Sequence, residues 1–551
     1  MKKYALISVY NKDNLEFLVK GLAGAGFDII STGGTYNAVK EIIKKNNLKT
    51  NLLKISEITK SPEMLDGRVK SLHPLIHGSL LYRRDKKEHV EQAKKHALLN
   101  IEIVAVNLYP FKETVKKKNA SEEEIIENID IGGPTMLISS VKNYKHVAVV
   151  VDPVDYTVLV EELRKNSGSV SIQAKKKFAV DAINLLADYR SSIAVELSQR
   201  LLGKDSLRLS FPCGKKLGKY GENWHQRAWL YSSNRLGGAE QLSGIELGYN
   251  NYIDINSSFS ALLDIKDQPG VAIVKHNNPC GYATGKNLKQ ALEKAWEGDD
   301  ISAFGSIITF SKKVDMDIAR FFDNRFVEVI IVSDIEKNAL EHLKKNKKNL
   351  RIIKVDLSTK GDYEYKSIDS GILMQTKDNL LHLGKIADLF AEPRKIRDSL
   401  DKERLVGQVS QENISHESTG LVEFSIKAVK HLKSNACVVC YEYEKGFYQV
   451  IGMGCGQPNR LNSIRLAIDK TVYNLKKTCN DGQVKKILSG SRVVISSDAF
   501  FPFRDGIDMI AESGIRNIVQ PGGSIRDDDV IKAADEHKMA MLFTGMRHFR
   551  H

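Results

Sequence analysis

The first quarter of the chain alternates short β-branched runs with segments of helical spacing. Residues 4–9 form an apolar run of strand length. Residues 13–25 then place Leu15, Leu18, Val19 and Leu22 on one helical face, and Gly24 and Gly26 end it. Residues 27–30 predict the next strand, 36–44 a helix and 103–106 another strand, and a helix opens at 130–135 and reaches Lys142. Strand and helix in alternation, joined by short turns, predict a parallel sheet. Residues 173–202 read as one long helix, from Phe178, Ala182, Leu185, Leu186, Tyr189 and Ile193. A loop-like boundary follows at 211–218, marked by Pro212, Gly214 and Gly218. Residues 270–273 read as a buried strand. It runs into Lys275 and His276, and the chain is expected to break at Asn278-Pro279 and Gly281.

A length of 551 residues corresponds to roughly three to four domains. With 42% hydrophobic and 27% charged residues, the composition is globular and carries no low-complexity tract. The opening apolar run is too short for a secretory signal, and no stretch has the length of a membrane span, so a cytoplasmic protein is expected. Six cysteines do not make a disulfide framework. Cys437 and Cys440 lie in an apparent strand, where positions three apart face opposite ways, so buried thiols are expected rather than a redox or zinc pair. Lysine and arginine number 82 against 68 acidic residues, a formal charge of +14. The lysines are scattered among acidic residues, as helix faces in water are, and no nucleic-acid reader motif accompanies them.

Candidate chemistry gathers at turns. Ser31-Thr32-Gly33-Gly34-Thr35 stands where a strand gives way to a helix, so free backbone N–H groups could meet a phosphate. Ser8 to Lys12 is a second such turn and ends in a cation. Arg68 and Lys70 share one face if extended. His73 and His77 are four apart, but Pro74 intervenes and no third ligand is evident, so a metal is not expected. Lys275 and His276 can share a site only if the chain leaves strand geometry at about His276. A neighbouring ammonium would then hold the imidazole neutral, as a general base must be.

Val274-Lys275-His276-Asn277-Asn278-Pro279-Cys280-Gly281 resembles the Lys-His-x-x-Pro-x-Gly signature of the bifunctional AICAR transformylase/IMP cyclohydrolase family of purine biosynthesis. About ten short motifs in family order extend the resemblance over essentially the whole chain. It implies an α/β protein with an N-terminal methylglyoxal-synthase-like parallel-sheet domain, followed by two cytidine-deaminase-like α/β subdomains. The expected divisions are residues 1–150 for the cyclohydrolase core, 151–214 for a helical connection, and 215–385 and 386–551 for the transformylase subdomains.

For ring closure the resemblance implies Lys70, Tyr109, Asp130 and Lys142 as catalytic residues. Ser8, Lys12, Ser31, Gly33, Gly34, Thr35, Arg68, Ser71, Asn107 and Gly132 would bind the ribotide. For formyl transfer it implies His276 as proton acceptor, Lys275 on the oxyanion and Asn435 on the carboxamide. Lys219, Tyr220, Asn251, Phe304, Glu328, Arg460, Phe500, Asp505, Arg547 and Phe549 would bind substrate or folate. The three phenylalanines of Phe500-Phe501-Pro502-Phe503 are expected to pack a pterin-like ring rather than plug a core. 10-Formyltetrahydrofolate is the implied co-substrate, and no metal is required. A homodimer is implied, with the transformylase site at its interface, and neither nucleic acid nor membrane as partner. Three departures stand out. Met136 to Val141 replace the family's Arg and Ala-rich residues, Lys219 stands where the family has Arg, and Trp224 where it has Pro. The last two raise the alternative of the same fold with only the cyclohydrolase active.

Overall fold

The computed structural model describes residues 2–61, 65, 69, 71–117, 120–211, 213–232, 239–358 and 361–551, without the side chains of Lys112, Cys213 and Ser232. Two compact units divide the chain between residues 212 and 213.

In the first unit, β1 (Lys3–Ser8), α1 (Leu15–Gly24), β2 (Phe27–Ser31), α2 (Gly33–Lys45), β3 (Leu52–Lys54), β4 (Ile101–Val106), α3 (Gly132–Lys142) and β5 (Ala148–Val150) build a sheet of order β3-β2-β1-β4-β5. Every pairing in it is parallel, as the alternation predicts. Strands β2 and β4 are buried on both faces, so they read as continuous apolar runs rather than alternating ones. The helix α4 (Ile172–Leu202) packs Phe178, Ala182 and Tyr189 inward. α2 begins at Gly33, earlier than the apolar pattern suggests, because Gly33 enters it with φ +43°.

After a two-stranded ribbon and the edge strand Glu240–Ser243, the second unit runs through α5 (Tyr249–Leu263), β6 (Gly270–Lys275), β7 (Asn278–Thr284), α6 (Leu288–Gly298), β8 (Ile307–Phe310), β9 (Val329–Val332) and β10 (Arg351–Lys354). The pattern then repeats as α7 (Thr419–Lys430), β11 (Cys437–Glu444), β12 (Phe447–Gly454), α8 (Arg460–Lys476), β13 (Val493–Ser497), α9 (Asp505–Ser513), β14 (Asn517–Gln520) and β15 (Ala540–Phe543). In each copy an antiparallel hairpin is followed by strands that continue the sheet beside its first member, the last three of them mutually parallel. The copies meet where β7 pairs β12 at Ala283 and Gln449, giving one 13-stranded sheet. One apolar cluster runs through both, from Ala261 and Val271 to Val422 and Leu542.

Two local expectations change. Residues 213–220 are not a loop: Cys213–Tyr220 pairs antiparallel with Arg227–Ser232. Gly214 sits under the Tyr231 ring, where a Cβ would lie 2.5 Å from Cε1, so its glycine marks a close approach rather than a break. Cys437 and Cys440 belong to different apolar clusters on opposite faces of β11. Burial pushes the Cys437 thiol up to about 11.

Candidate active sites

The first unit's sheet changes direction of growth between β1 and β4. Open α/β sheets bind ligands at such a switch point, and a cavity of ≈ 360 Å³ lies at the strand ends there. Ser8, Tyr10 and Lys12 line it from the exit of β1, Thr32 to Thr35 from the start of α2, and Asn107 and Tyr109 from the exit of β4. Ser71 and the turn from Asp130 to Gly133 also line it. Thr32 precedes α2 in extended geometry with no side-chain cap. The first-turn N–H groups of α2 therefore lack intrahelical acceptors and present the positive end of the helix to the cavity.

The Ser8 and Thr32 hydroxyls meet at 3.1 Å and join two lips of the cavity. Asn107 Oδ1 accepts the N–H groups of Tyr10 and Asn11 at 2.6 and 3.0 Å, which fixes the β1 exit. The half-exposed rings of Tyr10 and Tyr109 lie 5.5 Å apart at the mouth. Asp130 Oδ1 accepts the Gly133 N–H at 2.9 Å, and the Asp130 N–H donates to the Tyr189 hydroxyl at 2.7 Å. Burial raises the Asp130 carboxyl above its ordinary value, against the pull of the helix-start N–H groups. A Cβ on Gly133 would lie 2.5 Å from Asp130 Oδ2, so glycine is what lets the carboxyl sit over the helix start.

In the second unit Lys275 pairs with Asn278 across a two-residue turn. His276 and Asn277 occupy it with φ of +53° and +64°, the left-handed pair of a type I′ hairpin. Such a backbone costs a non-glycine residue about 1 kcal/mol, and neighbours hold it. The Asn277 N–H donates to Asp254 Oδ1 at 2.7 Å, and the Ser257 hydroxyl to Asn277 Oδ1 at 2.8 Å. Burial raises the Asp254 carboxyl, while His276 opposes that shift. The Lys275 ammonium donates to the Phe304 carbonyl at 2.7 Å.

Asn278 ties this turn to the second copy: its Nδ2 donates to the His276 carbonyl at 3.1 Å, and its Oδ1 accepts the Lys433 N–H at 3.0 Å. Two residues on, Asn435 donates to the carbonyls of Gln457 and Pro458 at 2.9 and 3.2 Å and accepts from Arg460 Nη2 at 2.7 Å. Buried Asp498 gathers Arg460, the Ser434 hydroxyl and the Ala436 N–H. A cavity of ≈ 270 Å³ beside the turn is lined by Lys275, His276, Asn278 and the ion pair of Asp299 and Lys470.

Residues 140–470 match the model of the AICARFT/IMPCHase bienzyme family, and residues 14–135 match that of the MGS-like domain. Proteins named bifunctional purine biosynthesis protein PurH are similar over the whole chain. Those of Lactobacillus acidophilus and Bacillus cereus are 40% identical, covering 100% of this chain and of their own length. That of Elusimicrobium minutum is also 40% identical, covering 100% of this chain and 99% of its own. The chain belongs to the AICARFT/IMPCHase bienzyme family.

Within this family member the cavity at the β1/β4 switch point collects Ser8, Lys12, Gly33, Gly34, Thr35, Ser71, Asn107, Tyr109, Asp130 and Gly132. Ser31 is apart from it: its hydroxyl is buried and donates to the Ile7 carbonyl at 2.7 Å. Lys142 is exposed at the last turn of α3, about 15 Å along the helix axis from Gly132. Arg68 and Lys70 lie outside the described residues. His73 caps its own helix by accepting the Leu75 N–H, and His77 Nδ1 lies 2.9 Å from the Ser139 hydroxyl. Among the described residues no group of three or more His, Cys, Asp or Glu could hold a metal ion.

In the second unit Asn251 donates to Glu328 Oε2 at 2.9 Å, with Arg351 3.6 Å from the same oxygen. Lys219 and Tyr220 are exposed on the ribbon, and Trp224 is 85% exposed. Arg460, by contrast, is buried, and its guanidinium is spent on Asn435, Asp498 and the Ala436 carbonyl. It supports Asn435 from behind. Of the three phenylalanines, Phe501 is fully buried in an apolar cluster, so for that residue the core-plug account holds. Phe500 is half-buried, Phe503 is 50% exposed, and Asp505 opens α9. Arg547 lies over the Phe549 ring at 4.4 Å.

Tyr10 at the first cavity, and Asp254, Ser257 and Asp498 at the second site, were not singled out from the sequence, and Asn278 was read only as a break in the strand. A signal existed for two of them: Asn251, Asp254 and Ser257 recur every three residues, which sets them on one face of α5.

Proposed function

We propose that the two reactions of this bifunctional purine-biosynthesis enzyme are divided between the two sites, formyl transfer in the second unit and ring closure in the first. The chain is an AICAR formyltransferase and IMP cyclohydrolase. The observation that carries the division is that each compact unit has its own cavity, lined by side chains suited to one of the two steps.

In the first step the aminoimidazole amine attacks the formyl carbon of 10-formyltetrahydrofolate. His276 takes the proton the amine loses, Lys275 steadies the tetrahedral oxyanion, and Asn435 orients the carboxamide beside the amine. The folate nitrogen leaves with a proton. Phe304, Phe500, Phe503, Asp505 and Phe549 are the folate and base contacts in this reading, supported by their partial or full exposure. In the second step the carboxamide nitrogen attacks the new formyl carbon within one molecule, and water is lost. Positioning supplies much of this acceleration. Gly33, Gly34, Thr35 and Lys12 hold the phosphate, Tyr109 walls the base, and Asp130 assists deprotonation of the attacking amide. At ≈ 360 Å³ the first cavity falls within the usual range for a small-molecule site.

The enzyme works as a homodimer in this reading. Tyr363–Ile368 and Gly371–Thr376 form a hairpin exposed along both strands, carrying Tyr365, Ile372, Leu373 and Met374. A two-stranded hairpin is marginal in water by itself, and a second copy of the chain would cover it. A cytoplasmic location is part of this reading, in keeping with its anionic nucleotide substrates. Among the described residues no helix is long and apolar enough to cross a membrane.

The deciding experiment separates the two activities in pure protein. His276→Ala is expected to abolish formyl transfer and leave closure of supplied formyl-AICAR intact, and Asp130→Asn to do the reverse. If either change removes both activities from a folded protein, the division is wrong.

A further inference from the structure

Arg550 stands behind both halves of the second site. Its partly buried guanidinium donates through Nη2 to the Ser257 hydroxyl at 3.0 Å, the same hydroxyl that holds Asn277 beside His276. Through Nη1 it donates to the His431 carbonyl at 2.9 Å, one residue past α7. Its main chain pairs with Ser434 in both directions: the Arg550 N–H donates to Ser434 Oγ, and the Ser434 N–H to the Arg550 carbonyl, each at 3.0 Å. Ser434 precedes Asn435 and donates onward to Asp498.

One residue is thus hydrogen-bonded to the support of the His276 turn and to the segment that carries Asn435. The planar fork of arginine suits this task, because its two arms reach separate acceptors at a fixed spread, whereas a lysine would offer a single point of charge. Burial lowers the basicity of the Arg550 guanidinium, and its hydrogen bonds run to the supports of His276 and Asn435, Ser257 and Ser434, and to the His431 carbonyl.

We propose that Arg550 is a positioning residue for formyl transfer, a bracket that sets the separation of His276 from Asn435. The proposal rests on the assignment of formyl transfer to this site. A displacement of about 1 Å between reacting groups can cost on the order of 100-fold in rate, so a loosened bracket is read in turnover more than in substrate affinity.

The test measures formyl transfer and ring closure side by side in the full chain for wild type, Arg550→Ala, Arg550→Lys, Ser257→Ala, the Ser257→Ala/Arg550→Lys double variant and His276→Ala. Arg550→Ala is expected to lower kcat for formyl transfer by about 30-fold, with KM for AICAR within about threefold of wild type and ring closure unchanged. Arg550→Lys should recover part of the loss. Ser257→Ala should lower kcat several-fold, and the double variant should be no slower than its slower parent, since both changes cut one link. A kcat for Arg550→Ala within about twofold of wild type, or single effects that multiply in the double variant, overturns the proposal. If Arg550→Ala fails to fold, the Ser257 and lysine variants decide by the same criterion. Wild-type formyl transfer in His276→Ala would instead sink the site assignment. An inactive His276→Ala beside a fully active Arg550→Ala would sink the bracket alone.

Discussion

Asn278 and Lys433, 155 residues apart, are joined by a hydrogen bond from the Lys433 N–H to Asn278 Oδ1 at 3.0 Å. The same amide also holds the His276 carbonyl from its other end. A side chain at the start of β7 therefore registers the turn of one module against the active-site segment of the other.

Asn278→Ala should slow formyl transfer by about 10- to 100-fold while changing global stability by only about 1–2 kcal/mol. Ring closure, which we assign to the other unit, should be unaffected. Steady-state assays of both reactions, with a denaturant melt of the same sample, check this.

Asp130 gives a pH signature. Its folded carboxyl titrates above the ordinary value because it is buried. Between the unfolded and folded values the native unit holds more protons than the unfolded chain, so its stability falls as pH rises through that interval. Asp130→Asn should remove this part of the pH dependence in a denaturation series. If the ionised carboxylate is the working form, the acid limb of the wild-type ring-closure profile should lie above that of an unperturbed aspartate.

Asp264 behaves in the opposite sense. Its carboxylate is paired at 2.7 Å with both Lys430 and His431, which are buried, and these partners hold its pKa well below the usual range. The stability it contributes is present above the unfolded value of about 3.9 and is lost as pH falls towards the folded one. Asp264→Asn strands the buried Lys430 ammonium and weakens the acceptor of the His431 ring, whose own pKa burial lowers, and should cost about 3 kcal/mol at neutral pH. The gap to wild type should close in acid, as urea melts at stepped pH would show.

Phe501 and Phe503 should separate packing from binding. Phe501→Ala empties a fully buried site and should cost about 3–5 kcal/mol. Phe503→Ala, half-exposed, should stay within about 0.5 kcal/mol of wild type and raise KM for the formyl donor. Calorimetry and folate titration distinguish the two outcomes.

The parallel sheet of the first unit was legible because strands buried on both faces and amphipathic helices leave different periods in the sequence. Its cavity was largely legible too, because polar and glycine residues collect where strands hand over to helices. The second site was legible in its motif and not in its supports. Asn278, Lys433 and Ser257 meet through pairing of β7 with β12 and packing of α5 on the sheet, which no local pattern encodes. Arg460 and Phe501 show the complementary limit: a motif marks them, but only packing reveals that one props Asn435 and the other fills a core. His276 is intermediate. The need to leave strand geometry there could be argued, whereas the left-handed two-residue turn, with Pro279 already inside the returning strand, could not.

The seam between β7 and β12 bears on the ancestry of this half. The two modules share a layout, down to a two-residue hairpin loop in each: His276-Asn277 in one, Lys445-Gly446 in the other. Their chemistry has not stayed shared, since the Lys-His pair sits on the first copy and Asn435 with Asp498 on the second. The Lys-His pair sits at its copy's hairpin turn, whereas Asn435 precedes the first hairpin strand of the other copy and Asp498 follows β13. On the proposed assignment, loss of either copy would leave an open sheet edge and only part of the formyl-transfer site.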